Sequence, residues 1–215
     1  MTFTLNPLGD RGITVKLGDG ISAELSDSVI EHARAVSEAS IRGVTDIVPS
    51  YSSFGVFYDP LELSFADLSA RIETALNDMQ PQTTERTEER LIRIPVVYNG
   101  EDLDDVRRRA KLTVSEVIDI HSSREYRVFV VGFVPGFAYL GPLDPRLIVP
   151  RRESPRKRVP AGSVAIAEAQ TGVYPSETPG GWNLIGTTKE KMFDVTRDEP
   201  ALLRVGDRVR FEPIE

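Results

Sequence analysis

The 215-residue sequence predicts a small α+β domain over residues 1–82, followed by a mostly-β domain over residues 89–215. Three observations lead there. Short β-type runs alternate with segments of helical periodicity in the first part of the chain. The stretch QPQTTERTEER, from Gln80 to Arg90, is polar and charged with no apolar face, as a domain boundary is. From Gly132 to Thr188, prolines and glycines recur every few residues, so no periodic helix survives. Phe133, Phe137, Tyr139, Ile148, Tyr174 and Trp182 are interleaved there, which a linker would not carry. A compact β structure with ordered loops fits that pattern.

The elements follow in order. Phe3–Leu5 and Ile13–Leu17 read as strands around a turn at Gly9–Gly12. Ile21, Leu25, Val29, Ala33 and Val36 fall at helical spacing behind a Ser22 N-cap. Asp46–Pro49 and Phe54–Tyr58 form two more strands flanking a turn at Ser50–Ser53. Ser64 to Asp67 resembles a capping box with Asp where Glu is preferred, and opens a helix with Leu68, Ile72 and Leu76 on its core face. The first domain therefore reads ββαββα. Past the boundary, Ile92–Tyr98 is a strand whose Pro95 places it at an edge or bulge. Asp102–Ala110 is a short helix with acids first and arginines last. Thr113 and Glu116 form a capping box for a second helix ending near His121. Glu125–Gly132 is a strand, and the remainder is punctuated β up to a last strand at Arg208–Pro213.

Composition narrows the function. The net charge of −7 and pI near 5.1 disfavour nucleic acid and anionic membranes as bulk partners. Yet Arg146, Arg151, Arg152, Arg156, Lys157 and Arg158 face one acid, Glu153, within a single segment. A local basic loop in an acidic protein suggests a small anionic ligand or an acidic partner. With no cysteine, thiolate chemistry and disulfides are excluded, and two histidines make a histidine metal site improbable, so no metal is expected. The first residues lack the basic and apolar regions of a secretory signal, and no apolar run reaches membrane-spanning length. A cytoplasmic location is expected.

Several residues are candidates for a site. The Gly132–Gly136 segment follows a strand but has no GxxxxGK[ST] or GxGxxG pattern, so it reads as a turn that lets backbone approach a ligand. Pro179-Gly180-Gly181-Trp182 makes a sharp turn that either presents the indole at a rim or plugs a barrel end. Tyr174 has the same two readings. Between Pro155 and Pro160, Arg156 and Arg158 are suited to gripping a carboxylate or phosphate, while part of this run points into water. His121, at a predicted helix end, is either a C-cap or a general acid/base. Gln170 offers a donor and an acceptor beside the aromatics.

The runs GFVPGFAYLG, PRKRVPAGSVAIAEAQTGVYP and PGGWNLIGTT, with PLGDRGITVKLGD and VPSYSSFGVFYDP nearer the start, resemble the allophanate hydrolase subunit 1 domain family. The similarity extends over nearly the whole chain. It implies that the second domain is a cyclophilin-like β-barrel, and that the chain works with a second cyclophilin-like subunit and a further subunit. The activity implied first is ATP-dependent opening of 5-oxo-L-proline to L-glutamate, with ATP used by the complex and not held by a phosphate loop in this chain. In that setting Gly136, Phe137, Arg156, Arg158, Gln170, Tyr174, Gly180, Gly181 and Trp182 would contact an anionic substrate and His121 would move a proton. Two other activities of the family are inhibition of a sensor histidine kinase and half of the carboxyltransferase in a urea carboxylase or allophanate hydrolase system. The last would require a biotin carrier, and no Met-Lys-Met attachment site is present.

Overall fold

The computed structural model describes residues 3–79 and 90–215, so all of the predicted boundary except Arg90 lies outside the described residues. Two compact units divide at Glu88/Glu89.

In the first unit, β1 (Thr4–Pro7) and β2 (Gly12–Lys16) form a hairpin, followed by α1 (Ala23–Glu38). Then come β3 (Val44–Ser50), β4 (Ser53–Tyr58) and α2 (Phe65–Asn77). The four strands pair antiparallel in the order β1-β2-β4-β3. Alternation decides the packing: Ile13, Val15, Phe54, Val56 and Tyr58 point to one face and meet Val29, Ala33, Val36, Leu68, Ile72 and Leu76 of the helices. The caps form as the sequence requires. Ser22 accepts from the Leu25 N–H. Ser64 accepts from the Asp67 N–H and donates to the Asp67 carboxylate, so this pair closes side chain to side chain.

The second unit begins with β5 (Leu91–Val96), α3 (Leu103–Ala110) and α4 (Val114–Ser122). The Thr113–Glu116 capping box at α4 is complete in both directions. Strands β6 (Glu125–Val131) and β7 (Ala138–Gly141) follow, then a 3-10 turn at Pro145–Leu147. The Pro/Gly-rich region resolves into β8 (Arg156–Val159), β9 (Ser163–Ala167), β10 (Gln170–Val173), β11 (Thr178–Gly180) and β12 (Asn183–Thr187). Strand β13 (Arg208–Pro213) ends the unit.

Seven of these strands make one sheet, ordered β12-β9-β10-β7-β6-β13-β5. Strand β5 is an outer strand, which suits Pro95, and it pairs parallel with β13. The sheet nearly closes on itself: Val97, just past β5, exchanges both backbone hydrogen bonds with Thr187 of β12, at 2.9 and 2.8 Å. Its interior is filled by Ile94, Val128, Leu140, Val164, Ile166, Val173, Ile185 and Phe211, among others. Strands β8 and β11 form a separate two-stranded ribbon.

The wall of this barrel is apolar on both sides, and that explains the sequence. On β9, Val164 and Ile166 point inward while Ala165 and Ala167 join a second cluster with Phe137, Val159, Tyr174, Trp182 and Leu184. On β10, Val173 points inward and Tyr174, the next residue, outward. Small residues at 165, 167 and 172 leave room for the rings: a Cβ on Gly172 would meet the Phe137 ring at 3.3 Å and the Trp182 ring at 3.5 Å. Among the described residues no helix is long and apolar enough to cross a membrane.

Candidate functional site

The outer cluster is built around Phe137. Its ring makes edge contacts with Phe133, Tyr139, Tyr174 and Trp182, at centroid distances of 5.7, 4.9, 5.3 and 5.5 Å. Phe137, Tyr174 and Trp182 are buried, Tyr139 is half-buried, and Phe133 is 62% exposed. Of the two readings of Tyr174 and Trp182, the structure favours packing, because the β8–β11 ribbon lies over them. Gly180 sits directly against Tyr174, where an added Cβ would fall 2.3 Å from the hydroxyl. Burial pushes the Tyr174 hydroxyl pKa up, opposed by the Trp182 backbone N–H and by the charge of Arg151.

A charged cluster borders these rings. Asp102, at the N-cap position of α3, is 3% exposed at its side chain. Its Oδ1 accepts from Arg152 at 2.5 Å and from Arg156 at 2.8 Å, and its Oδ2 accepts from the Leu184 N–H at 2.7 Å. Burial alone would raise the Asp102 pKa. The Arg156 and Leu184 hydrogen bonds and the two guanidinium charges outweigh it and hold the carboxyl below its ordinary range. Arg156 also reaches Glu101 at 3.1 Å, and Asp102 in turn raises its pKa. Arg152 donates its backbone N–H to the Gly181 carbonyl at 2.8 Å. Asp102 thereby ties α3, the basic segment and the Gly180–Gly181 turn together.

Arg156 and Arg158, expected to act as a pair, are separated. Opposite the two steps from Thr178 to Gly180, strand β8 takes three from Arg156 to Val159, so a bulge intervenes. Arg156 is 17% exposed and locked to Asp102, whereas Arg158 is 81% exposed and stands 3.6 Å from Glu177.

His121 is the most deeply buried of the expected residues. It is 0% exposed, with Nδ1 2.8 Å from the Tyr98 hydroxyl and Nε2 2.9 Å from Thr171 Oγ1. Thr171 donates to the Ala165 carbonyl, so it accepts from a protonated Nε2, and Nδ1 accepts from Tyr98. The ring stacks on Phe211 at 4.5 Å, and burial lowers its pKa to about 3. This neutral imidazole lies in the barrel interior, across the wall from the aromatic cluster, and is packed as a core group is. Its residue type and its place at a helix end are those expected; its full burial was not legible in the sequence.

The remaining expected residues fall around the cluster. Gly136, at φ +81°, lets the loop after β6 pack on Met192 and Phe193. Gln170 is half-buried at the start of β10. Asp102, Arg152 and Phe133 are members of this region that the motif reading did not single out. Among the described residues no group of three or more His, Cys, Asp or Glu side chains could hold a metal ion. A shallow depression of about 670 Å³ between α1 and α2, lined in part by Ala35, Ile41, Arg71 and Ala75, belongs to the first unit and to none of these residues.

Fold and site together define a protein with a nearly closed barrel bearing an aromatic and cationic outer face. The chain belongs to the family described as carboxyltransferase domain, subdomain C and D, whose model matches residues 3–203. It is 39% identical over 220 residues to the B-type subunit of 5-oxoprolinase from Bacillus subtilis (strain 168), covering 97% of this chain and 92% of that protein. It is 56% identical over 129 residues to the corresponding 5-oxoprolinase subunit of Escherichia coli O157:H7, covering 59% of each. Among solved structures it resembles TTHA0988, with TM-score 0.84 and 41% identity, over 95% of this chain and 40% of that one. The chain thus spans less than half the length of TTHA0988.

Proposed function

We propose that this chain is the B-type subunit of an ATP-dependent 5-oxoprolinase that opens 5-oxo-L-proline to L-glutamate with companion subunits in the cytoplasm. The observation that carries the reading is its similarity along nearly the full length of the B-type 5-oxoprolinase subunit from Bacillus subtilis. Per turnover, 5-oxo-L-proline, ATP and two waters become L-glutamate, ADP and phosphate. An unstrained lactam resists water, so the complex activates the amide oxygen by phosphorylation. One water then opens the ring to an acyl phosphate, and a second releases phosphate from it.

The second unit acts as a cyclophilin-like barrel whose outer face supplies one wall of a site completed by a second cyclophilin-like subunit. The substrate carboxylate and the phosphorylated intermediates are anions. Arg158, exposed on β8, is placed to meet them, and Arg156 and Asp102 hold the segment that carries it. The Gly180–Gly181 turn allows close backbone approach, with Tyr174, Trp182 and Phe137 as its support and Gln170 as a donor and acceptor nearby. ATP is consumed by the complex.

The test is ATP-dependent glutamate release from 5-oxo-L-proline, with the chain purified alone and then with its companion subunits. Activity in the combined sample only is the expected result. No activity in a folded, complete mixture would refute the reading.

A further inference from the structure

The first unit carries a helical face that its own core leaves unused. Along α2, Leu68, Ile72 and Leu76 are buried in the core of the unit. Arg71, Thr74, Ala75 and Asp78 form a second stripe, recurring at i, i+3, i+4 and i+7. They line the depression opposite Ala35 and Ala39 at the end of α1. Arg71, Thr74 and Asp78 are exposed, and Ala75 is half-buried. The alanines keep the floor of the depression low enough for another helix to approach closely.

The charges decide which helix fits. Around the depression, Arg42 pairs with Glu62 at 3.6 Å, Arg34 with Glu38 at 2.6 Å, and Asp67 accepts from the Ser64 hydroxyl at 2.6 Å. Glu73 lies about 200° around α2 from Arg71 and so points away from the stripe. Glu31, one turn before Ala35, adds an acid to the rim. Arg71 and Asp78 make no ion pair among the described residues. They stand two turns apart, about 10 Å along the axis, with Thr74 and Ala75 midway between them. A second α2 laid antiparallel across that midpoint brings its Asp78 to Arg71 and its Arg71 to Asp78. A two-fold contact therefore forms both ion pairs together. A two-fold axis through Arg71 or through Asp78 would oppose like charges, so the stripe also selects the register.

We propose that this face of the first unit is a self-association surface, on which two copies of the chain pair α2 antiparallel about a two-fold axis between Thr74 and Ala75. This goes beyond the function proposed above and does not depend on it. The extra acid at Glu31 and the net charge of −7 on each chain oppose the contact, so a dissociation constant of about 10 µM is expected. The test is sedimentation velocity of the full chain from about 1 to 200 µM at about 0.15 M salt. It compares wild type, Arg71→Glu, Asp78→Arg, the double variant, and an equimolar mixture of the two single variants, with circular dichroism melting to check that each is folded.

Each single variant sets like charges together at both ends of the contact and should weaken the dimer by about 30-fold or more. The two singles shift the net charge in opposite directions, so a loss in both cannot come from general repulsion between the chains. The double variant restores both pairs with their signs exchanged and should associate within about threefold of wild type. The mixture should form a heterodimer, because Glu at 71 then meets Arg at 78 and Asp78 meets Arg71. A wild-type chain that stays monomeric over the whole range overturns the proposal. So does a dimer that loses affinity in neither single variant or in only one. Loss in both without recovery in the double variant and the mixture overturns it as well. Each of these results leaves the functional reading standing, since that reading is tested by glutamate release.

Discussion

Acidification should weaken the barrel through His121 in a way that can be isolated. The imidazole is wholly buried, and its pKa is lowered from 6.5 to about 3. Between those values the unfolded chain binds a proton that the folded chain does not, so stability rises with pH across this window. The contribution is complete above pH 6.5 and is lost as pH falls toward 3. Its slope approaches about 1.4 kcal/mol per pH unit, giving about 2 kcal/mol lost by pH 5 and up to about 5 kcal/mol by pH 3. Protonation would also oblige Nδ1 to donate, which removes the bond it accepts from the Tyr98 hydroxyl. Trp182 is the single tryptophan and lies buried in the second unit, so its fluorescence in urea titrations reports on this unit. Carboxylates titrate over the same range, so the quantity to measure is wild type minus His121→Gln at pH 7, 6, 5 and 4. The difference should shrink steadily with acid. A difference that stays constant from pH 7 to 5, or a His121 NMR resonance that titrates near pH 6, would refute the reasoning.

Other outcomes follow from the charged and packed parts of the site. Asp102→Ala leaves two guanidinium groups facing each other and strips the Leu184 N–H of its acceptor; a loss of about 3 kcal/mol in urea unfolding is expected. Arg158→Ala should abolish glutamate release by the complex with unfolding free energy unchanged within about 0.5 kcal/mol, whereas Arg156→Ala should cost stability measurably. Gly180→Ala drives a methyl into the Tyr174 hydroxyl and should cost about 1–3 kcal/mol, read from the Trp182 unfolding curve. Thr113→Ala removes the α4 capping box and should cost about 1 kcal/mol in the same assay.

The first unit was legible because each element carries a one-sided signal. Its helices present one apolar stripe, its strands alternate, and Ser22 and Ser64 mark the starts. The capping box at Thr113 and the outer-strand proline of β5 were legible for the same local reasons. The five short strands between Arg156 and Thr187 were not individually readable. Strand β9 is buried at all five positions, so no alternation appears, and only the pairing partners tell Ile166 from Ala165. The site was half legible. Phe137, Tyr174, Gly180, Gly181 and Trp182 do converge, but whether the rings faced solvent depended on the β8–β11 ribbon above them. The bulge that parts Arg156 from Arg158 leaves no mark in composition, and Asp102 read as a helix start because its partners lie fifty and more residues away.

The closing of the barrel has a consequence for biosynthesis. Strand β13 lies between β5 and β6, so β5 waits for residues near 210 before it has a strand to pair with along its length, the Val97–Thr187 bridge at its end being all that can form earlier. The first unit pairs strands only within its own residues, β2 with β4 being its most distant pairing, and can fold while the ribosome is still translating the second. The second unit lacks the ladder of β5 and the interior side chains Val209 and Phe211 until β13 emerges. During that interval the apolar interior of the nascent second unit stands open to water, the condition under which partly folded chains aggregate.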